Sequence, residues 1–308
     1  MRVLVTGGAG FIGSNVVDKL IREGCKVFCL DDFSNADFKN LVDKDCEIIC
    51  GDVRNEDVFK KFPRLDAIIH EAAVTDTTIN DDKKMMSVNF EGFRNVLKYC
   101  FKKRISLVYA SSAGVYGDGP FPMRESQSLK PLNTYAYSKF MCDKIASTLF
   151  KKKDAPLIVG LRYFNVYGPA ESHKGKSASM IYQLYLQMRE GKSPRLFKFG
   201  EQKRDFVYIK DVASITIKAL SLKKSTIINV GTGRACSFNS IVKIINKVLK
   251  KKLTPYYFDN PYSKVYQDYT QADISLLKRT MKIRQFYFLE EGIEDYIKNY
   301  LEKSRGKN

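Results

Sequence analysis

Tyr135 and Lys139 stand four residues apart in the run Thr134-Tyr135-Ala136-Tyr137-Ser138-Lys139. On a helix that spacing puts both side chains on one face, one turn apart. A cation beside a phenol favours the phenolate, and a phenolate can exchange a proton with a sugar hydroxyl while a hydride moves. The same spacing occurs at Tyr99 and Lys103, in a stretch that reads as the end of an ordinary surface helix. What the pair does therefore depends on the elements around it.

Residues 2–6 are a short apolar, β-branched run leading into Gly7-Gly8-Ala9-Gly10-Phe11-Ile12-Gly13 and then an amphipathic stretch over 14–23. In that order of strand, turn and helix, Gly7, Gly10 and Gly13 let the backbone approach a pyrophosphate at the helix N-terminus. A second strand over 26–30 ends in Asp31-Asp32, where an acid can accept from a ribose hydroxyl. Residues 47–50 read as a strand running into Gly51-Asp52-Val53, placed to meet an adenine. Residues 66–70 read as a strand opening onto Glu71-Ala72-Ala73, where small residues let the backbone pass close to a cofactor. Helices are expected over 55–62 and 81–101, and a buried strand over 105–110 ends in Ser111-Ser112. Repeating β–α units with near-continuous apolar strands imply a Rossmann-type, doubly wound parallel α/β sheet covered on both faces. Such sheets bind ligands at their strand carboxyl ends. Ser112 stands at one of these ends, and the helix bearing Tyr135 and Lys139 follows it, with Asn133 or Thr134 as cap.

The second half is less regular. Helices are expected over 178–190, 211–222 and 238–249, and strands over 195–199, 204–209 and 227–230. Residues 255–261 are aromatic and turn-rich, as a sugar-nucleotide cleft would be. The charged tail over 302–308 is expected to fray. The resulting division is a dinucleotide-binding domain over 1–165 and a smaller α/β C-terminal substrate domain over 166–308. Segments near 205–250 would return to the first domain.

The 308 residues carry a net charge of +18, which raises the possibility of a nucleic-acid binder. The lysine runs at 102–104, 151–153, 223–224 and 250–252 each fall where an apolar-periodic helix ends, and cations suit a helix C-terminus. Solvated helix ends are the better reading, with the basic field left to attract an anionic substrate. No apolar run is long enough for a membrane span, and Met1-Arg2-Val3-Leu4-Val5 meets glycines where a signal peptide would continue, so a cytoplasmic protein is expected. Seven scattered cysteines suit a reducing compartment. Cys25 with Cys29, and Cys46 with Cys50, are offset to share one strand face as small core residues. His70 and His173 are the only histidines, and no metal site is expected.

Taken together these residues resemble the extended short-chain dehydrogenases/reductases, the nucleotide-sugar epimerases and dehydratases. The likeness rests on Thr6-Gly7-x-x-Gly10-x-x-Gly13, Ser111-Ser112-Ala113-Gly114-Val115-Tyr116-Gly117, Tyr135-x-x-x-Lys139 and Arg162-Tyr163-Phe164-Asn165-Val166-Tyr167-Gly168-Pro169, and it covers essentially the whole chain. Dehydratases of this kind carry an Asp-Glu pair where Ala113-Gly114 stand here, which argues against elimination of water. Within the superfamily the chain is most similar to the epimerases of ADP-linked heptoses. That narrower likeness rests on Val74-Thr75-Asp76-Thr77-Thr78, His173-Lys174-Gly175, Ala178-Ser179-Met180, Arg204-Asp205-Phe206-Val207-Tyr208, Gly231-Thr232-Gly233-Arg234-Ala235, Tyr266 and Thr270-Gln271-Ala272-Asp273. It implies an ADP-sugar substrate, a homo-oligomer, and no nucleic-acid or membrane partner. Tyr135 and Lys174 would be the two acid/base groups, Lys139 would hold the nicotinamide ribose, and Ser112 would hydrogen-bond the reacting oxygen. Coenzyme contacts would come from Gly7, Gly10, Phe11, Ile12, Gly13, Asp31, Asp32, Lys39, Asp52, Val53, Glu71, Ala72, Ala73, Thr75, Asn89, Lys139, Val166 and Lys174. Substrate contacts would come from Asn165, Lys176, Gln183, Phe197, Lys198, Phe199, Gly200, Arg204 and Tyr266. The coenzyme implied is NADP, with Lys39 facing its phosphate, whereas Asp31 and Asp32 by themselves would repel a 2′-phosphate and point to NAD. Lys176 departs from a place that is usually small and Gln183 from one that is often His, which leaves the sugar open. A 4-epimerase or reductase on a UDP-sugar is the alternative.

Overall fold

The computed structural model describes residues 1–76, 81–261 and 267–303. In chain order the elements are β1 (Arg2–Thr6), α1 (Phe11–Arg22), β2 (Lys26–Asp31), β3 (Cys46–Cys50), β4 (Ala67–His70), α2 (Asp82–Met86), α3 (Gly92–Lys103), β5 (Ser106–Ser112), α4 (Thr134–Leu149), β6 (Ile158–Tyr163) and β7 (Asn165–Tyr167). They continue with α5 (Met180–Arg189), β8 (Arg195–Phe197), β9 (Lys203–Tyr208), α6 (Ile209–Ala219), β10 (Thr226–Val230), β11 (Ala235–Ser237), α7 (Phe238–Leu249), β12 (Tyr256–Phe258), α8 (Ser275–Met281) and α9 (Leu289–Tyr296).

Seven parallel strands form one sheet in the order β10-β6-β5-β4-β1-β2-β3. Strand order reverses between β1 and β4, which leaves a crevice at their carboxyl ends, where such sheets take ligands. The apolar continuity of the strands reflects burial on both faces. Val3 and Val5 enter the core on one side, and Leu4, between them, packs with Phe28, Ile68 and Leu107 on the other. This is the Rossmann-like α/β architecture. Two small sheets, β11-β9-β7 and β12-β8, lie outside it. Strand β10 of the second half pairs with β6 in the main sheet, and α6 packs on α1, whereas β9 and β11 belong to the small three-stranded sheet.

Local chemistry sets several boundaries. Asn133 caps α4 by accepting from Ala136 N at 2.9 Å, and Ser179 caps α5, which begins two residues after the expected start. The expected helix over 81–101 is α2 and α3 joined through one π-helical turn, Ser87–Glu91. Residues Glu56–Lys61 form a 3-10 helix. Lys102 and Lys103 close α3 and the other lysine runs follow α4, α6 and α7. All are exposed except Lys251, which is half-buried and donates to Met188 O at 2.8 Å and Arg189 O at 2.6 Å, and Arg104 and Lys250 are left-handed C-caps. The cysteine expectation needs correcting. Cys29 is buried, but Cys25 precedes β2 and Cys50 is exposed, because β3 is the edge of the sheet. The close pair is instead Cys29 and Cys46, with sulfurs 3.5 Å apart. Among the described residues no helix is long and apolar enough to cross a membrane.

Candidate active site

A cavity of about 1220 Å³ opens at the carboxyl ends of the main sheet. One wall is the glycine turn. Gly7 has φ +68°, and a Cβ on Gly13 would stand 2.0 Å from Gly7 O, so only glycine permits this close a crossing. Gly10, Phe11 and Ile12 line the same wall, with Asp31 and Asp32 at the end of β2, Val53 after β3, and Glu71, Ala72, Ala73 and Thr75 after β4. Asp31 Oδ2 accepts from Ala9 N and Oδ1 from Phe33 N, each at 2.9 Å. Burial pushes this carboxyl up, against the pull of those two N–H groups. Each oxygen keeps a further lone pair for a ligand hydroxyl.

Helix α4 forms the floor. Its inward stripe of Ala136, Lys139, Cys142, Asp143 and Ala146 follows helical spacing, yet it carries a cation and an anion where apolar residues are usual. Both ions are satisfied. Lys139 Nζ donates to Ala110 O of β5 at 2.8 Å, and Asp143 pairs with Arg162 at 2.8 Å. Lys139 lines the cavity together with Tyr135 and, at the end of β5, Ser112. Ser112 Oγ accepts from Gly114 N at 3.1 Å.

The opposite wall carries Asn165, Val166, Lys174, Lys176, Gln183, Phe197 and Arg204. The loop bearing Lys174 is held shut by Glu171, which is fully buried. Glu171 accepts from Gly168 N at 3.1 Å, Ser179 N at 2.6 Å and Ser179 Oγ at 2.9 Å, so one carboxylate ties together both ends of the loop. Lys174 Nζ lies 5.6 Å from the centre of the Phe11 ring. Burial lowers its pKa, opposed by the charges of Glu171 and Asp76. Burial likewise lowers that of its neighbour His173, with the Lys174 charge adding to the effect.

Six residues expected at the site lie off this wall. Asp52 is engaged by Arg54, with Nε 2.8 Å from Oδ2, and that bond holds its carboxyl low. Lys39 is exposed on a 3-10 turn capped by Asp37. Asn89 is buried and acts as a strut: it accepts from Val74 N at 2.7 Å and donates to Val74 O and Ser138 Oγ, both at 3.0 Å, joining the loop after β4 to α4. Lys198 pairs with Asp259 at 2.8 Å, Phe199 is exposed, and Gly200 packs on Asn239. Tyr266 lies outside the described residues, as do Thr77 and Thr78. Three wall residues had no role assigned from sequence. The buried Oγ of Ser111 and Nδ1 of His173 have no hydrogen-bond partner among the described residues, and Tyr163 bonds the Glu71 side chain. Ser111 and His173 each adjoin an assigned position, Tyr163 stands two residues before Asn165, and all three fall within the motif runs quoted from the sequence.

The model of the NAD dependent epimerase/dehydratase family matches residues 3–231. The chain belongs to this family. Among solved structures it is similar to ADP-L-glycero-D-manno-heptose-6-epimerase of Helicobacter pylori, with 38% identity and a TM-score of 0.89 over 97% of this chain and 95% of that one. It is also similar to the UDP-N-acetylglucosamine 4-epimerase of Methanobrevibacter ruminantium, solved with UDP-N-acetylmuramic acid (29% identity, TM-score 0.91, 98% of each chain). A third is the UDP-glucose 4-epimerase of Thermus thermophilus in complex with NAD (28% identity, TM-score 0.84, 96% of this chain and 98% of that one). Family membership makes the chain an enzyme of the epimerase/dehydratase kind.

Proposed function

We propose that the enzyme inverts C-6 of ADP-D-glycero-D-manno-heptose to give ADP-L-glycero-D-manno-heptose, a precursor of the lipopolysaccharide core. The observation that carries this reading is that Lys174 and Tyr135 line one cavity, because inversion needs proton-active groups for two faces of one carbon. The 38% identity to a heptose epimerase supports the choice of sugar.

The wall suits a nicotinamide dinucleotide: Gly7 and Gly13 leave no room for a Cβ, and Ser111 Oγ is a buried polar atom without a partner among the described residues. Bound nicotinamide supplies reversible hydride transfer at the sugar carbon. Gly7 to Gly13 would bind the pyrophosphate, Asp31 a ribose, and Lys139 the nicotinamide ribose. Ser112 would orient the C-6 oxygen. Tyr135 would take the hydroxyl proton from one face, leaving a ketone, and Lys174 would return a proton to the oxygen of the inverted carbon. The lowered pKa of Lys174 suits it to exchange protons nearer neutrality than an exposed lysine does. Arg204 would hold the substrate diphosphate.

The coenzyme is taken to be NADP from the likeness to heptose epimerases, with Lys39 beside its phosphate. The buried Asp31 at the end of β2 favours NAD instead, and mass spectrometry of the dinucleotide released on denaturation decides between them. The protein is taken to be a cytoplasmic homo-oligomer. The test of function is incubation with ADP-heptose and, separately, UDP-glucose, following products by NMR. Inversion at C-6 supports the proposal, while turnover of UDP-glucose alone, at C-4, replaces it with the 4-epimerase reading that the TM-score of 0.91 also favours.

A further inference from the structure

Tyr163 ends β6 with its hydroxyl 2.8 Å from Glu71 Oε1 and 2.8 Å from Thr216 Oγ1. Thr216 Oγ1 in turn donates to Val212 O, 2.8 Å away and one turn earlier on α6. With Glu71 ionised, Tyr163 donates to it and Thr216 has to share its one hydrogen between Val212 O and the Tyr163 oxygen. With Glu71 protonated and donating to Tyr163, each of the three contacts has a hydrogen of its own.

We propose that Glu71 is a proton-holding residue of the coenzyme cavity, which binds the dinucleotide with this side chain neutral and takes up a proton there on binding. The proposal rests on the assignment of the cavity to a nicotinamide dinucleotide. Glu71 lines that cavity beside Ala72 and Lys139. Lys139 Nζ has no carboxylate within 4.0 Å among the described residues, and it is 3% exposed. An ionised Glu71 competes for this ammonium and adds negative charge to the wall that a pyrophosphate must approach. A neutral Glu71 does neither, and a bound anion favours the neutral form further.

The groups acting on Glu71 are few. From α4, Lys139 opposes protonation; from β6, Tyr163 bonds it; from α6, Thr216 is uncharged. On its own strand His70, bonded to Thr6 Oγ1 at 2.7 Å, is kept neutral by burial. Burial dominates, and Glu71 is pushed up to about 7.

The experiment is isothermal titration of the full chain, cleared of copurified dinucleotide, with NADP and with NAD between pH 6 and 9. Buffers of different ionisation heat count the protons taken up. The expected result is net uptake near neutrality and an affinity that falls about tenfold from pH 6 to pH 8, one pKa unit being a factor of ten. Glu71→Gln abolishes the uptake and flattens the pH dependence. Thr216→Val frees the Tyr163 hydrogen for Glu71, which stabilises the carboxylate and moves the transition about one pH unit lower. Uptake that persists in Glu71→Gln, or a transition unmoved in Thr216→Val, overturns the proposal and leaves the functional reading standing. Failure of both dinucleotides to bind at any pH overturns both.

Discussion

Arg162 Nε donates to Asp143 Oδ2 at 2.8 Å, and the two side chains are only 4% and 3% exposed. Asp143 lies one turn beyond Lys139 on α4 and Arg162 lies near the end of β6, so this bond sets how α4 sits on the sheet. Tyr109 donates to the second Asp143 oxygen at 2.9 Å, and Arg162 also donates to Tyr116 at 2.8 Å. Asp143→Ala leaves a guanidinium buried without its anion. The expected loss is about 3–5 kcal/mol, read as a lower urea midpoint at unchanged slope. A loss below about 1 kcal/mol would show that the pair is not the anchor of α4.

Lys174→Met keeps most of the apolar stem and removes the amine. Epimerisation is expected to fall by about a thousandfold, in the range general acid–base groups contribute, while the dinucleotide still copurifies in full. NMR of the product and mass spectrometry of the bound coenzyme give the two readings. An active variant would sink the assignment of two acid/base groups.

Gly13→Ala puts a methyl group 2.0 Å from Gly7 O, where backbone rather than a side chain must give way. The turn has to open, at a cost of about 1–3 kcal/mol for overpacking. Dinucleotide affinity is expected to drop at least about tenfold, since 1.4 kcal/mol is a factor of ten. Unchanged binding by titration would mean that the turn is not the pyrophosphate site.

His70 is lowered to about 3 by burial, from an ordinary value of 6.5. As pH falls through 6.5 the unfolded chain binds a proton here and the folded chain does not, so stability is lost between about pH 6.5 and 3. At pH 4.5 this amounts to about 2–3 kcal/mol, at roughly 1.4 kcal/mol per unit. His70→Gln should therefore flatten the acid side of a melting-temperature profile relative to the parent chain. Parallel profiles for the two proteins would show that this histidine is not what makes folding acid-sensitive.

The parts of the molecule that were legible in sequence are those set by neighbours along the chain. The glycine turn, the strand acids and the cap at Asn133 each need only a few consecutive residues, and the alternating elements reveal the sheet through apolar periodicity. The rest depends on partners far apart in sequence. Glu71 is raised by burial among elements remote in sequence and is bonded by Tyr163, 92 residues further on. The strut at Asn89 works because Val74 and Ser138 converge on it. The expected core placement of Cys50 fails because period-two alternation does not reveal which strand is an edge, and β3 is one. Lys198 and Phe199 sit off the wall because the pairing of β8 with β12, which sets that segment's position, joins stretches whose sequences show no sign of meeting.

Strand β10 is made long after the strand it completes. Phe164 N, the last backbone donor before Asn165, is bonded to Val230 O at 3.0 Å, and β6 has β10 as its outer neighbour. While the ribosome is still making residues 164–225, β6 is an unpaired edge, the kind of surface that invites pairing with other chains. The main sheet is therefore closed only after most of the chain has been made, and until then the free side of β6 is the sort of strand edge that exposes a folding chain to aggregation.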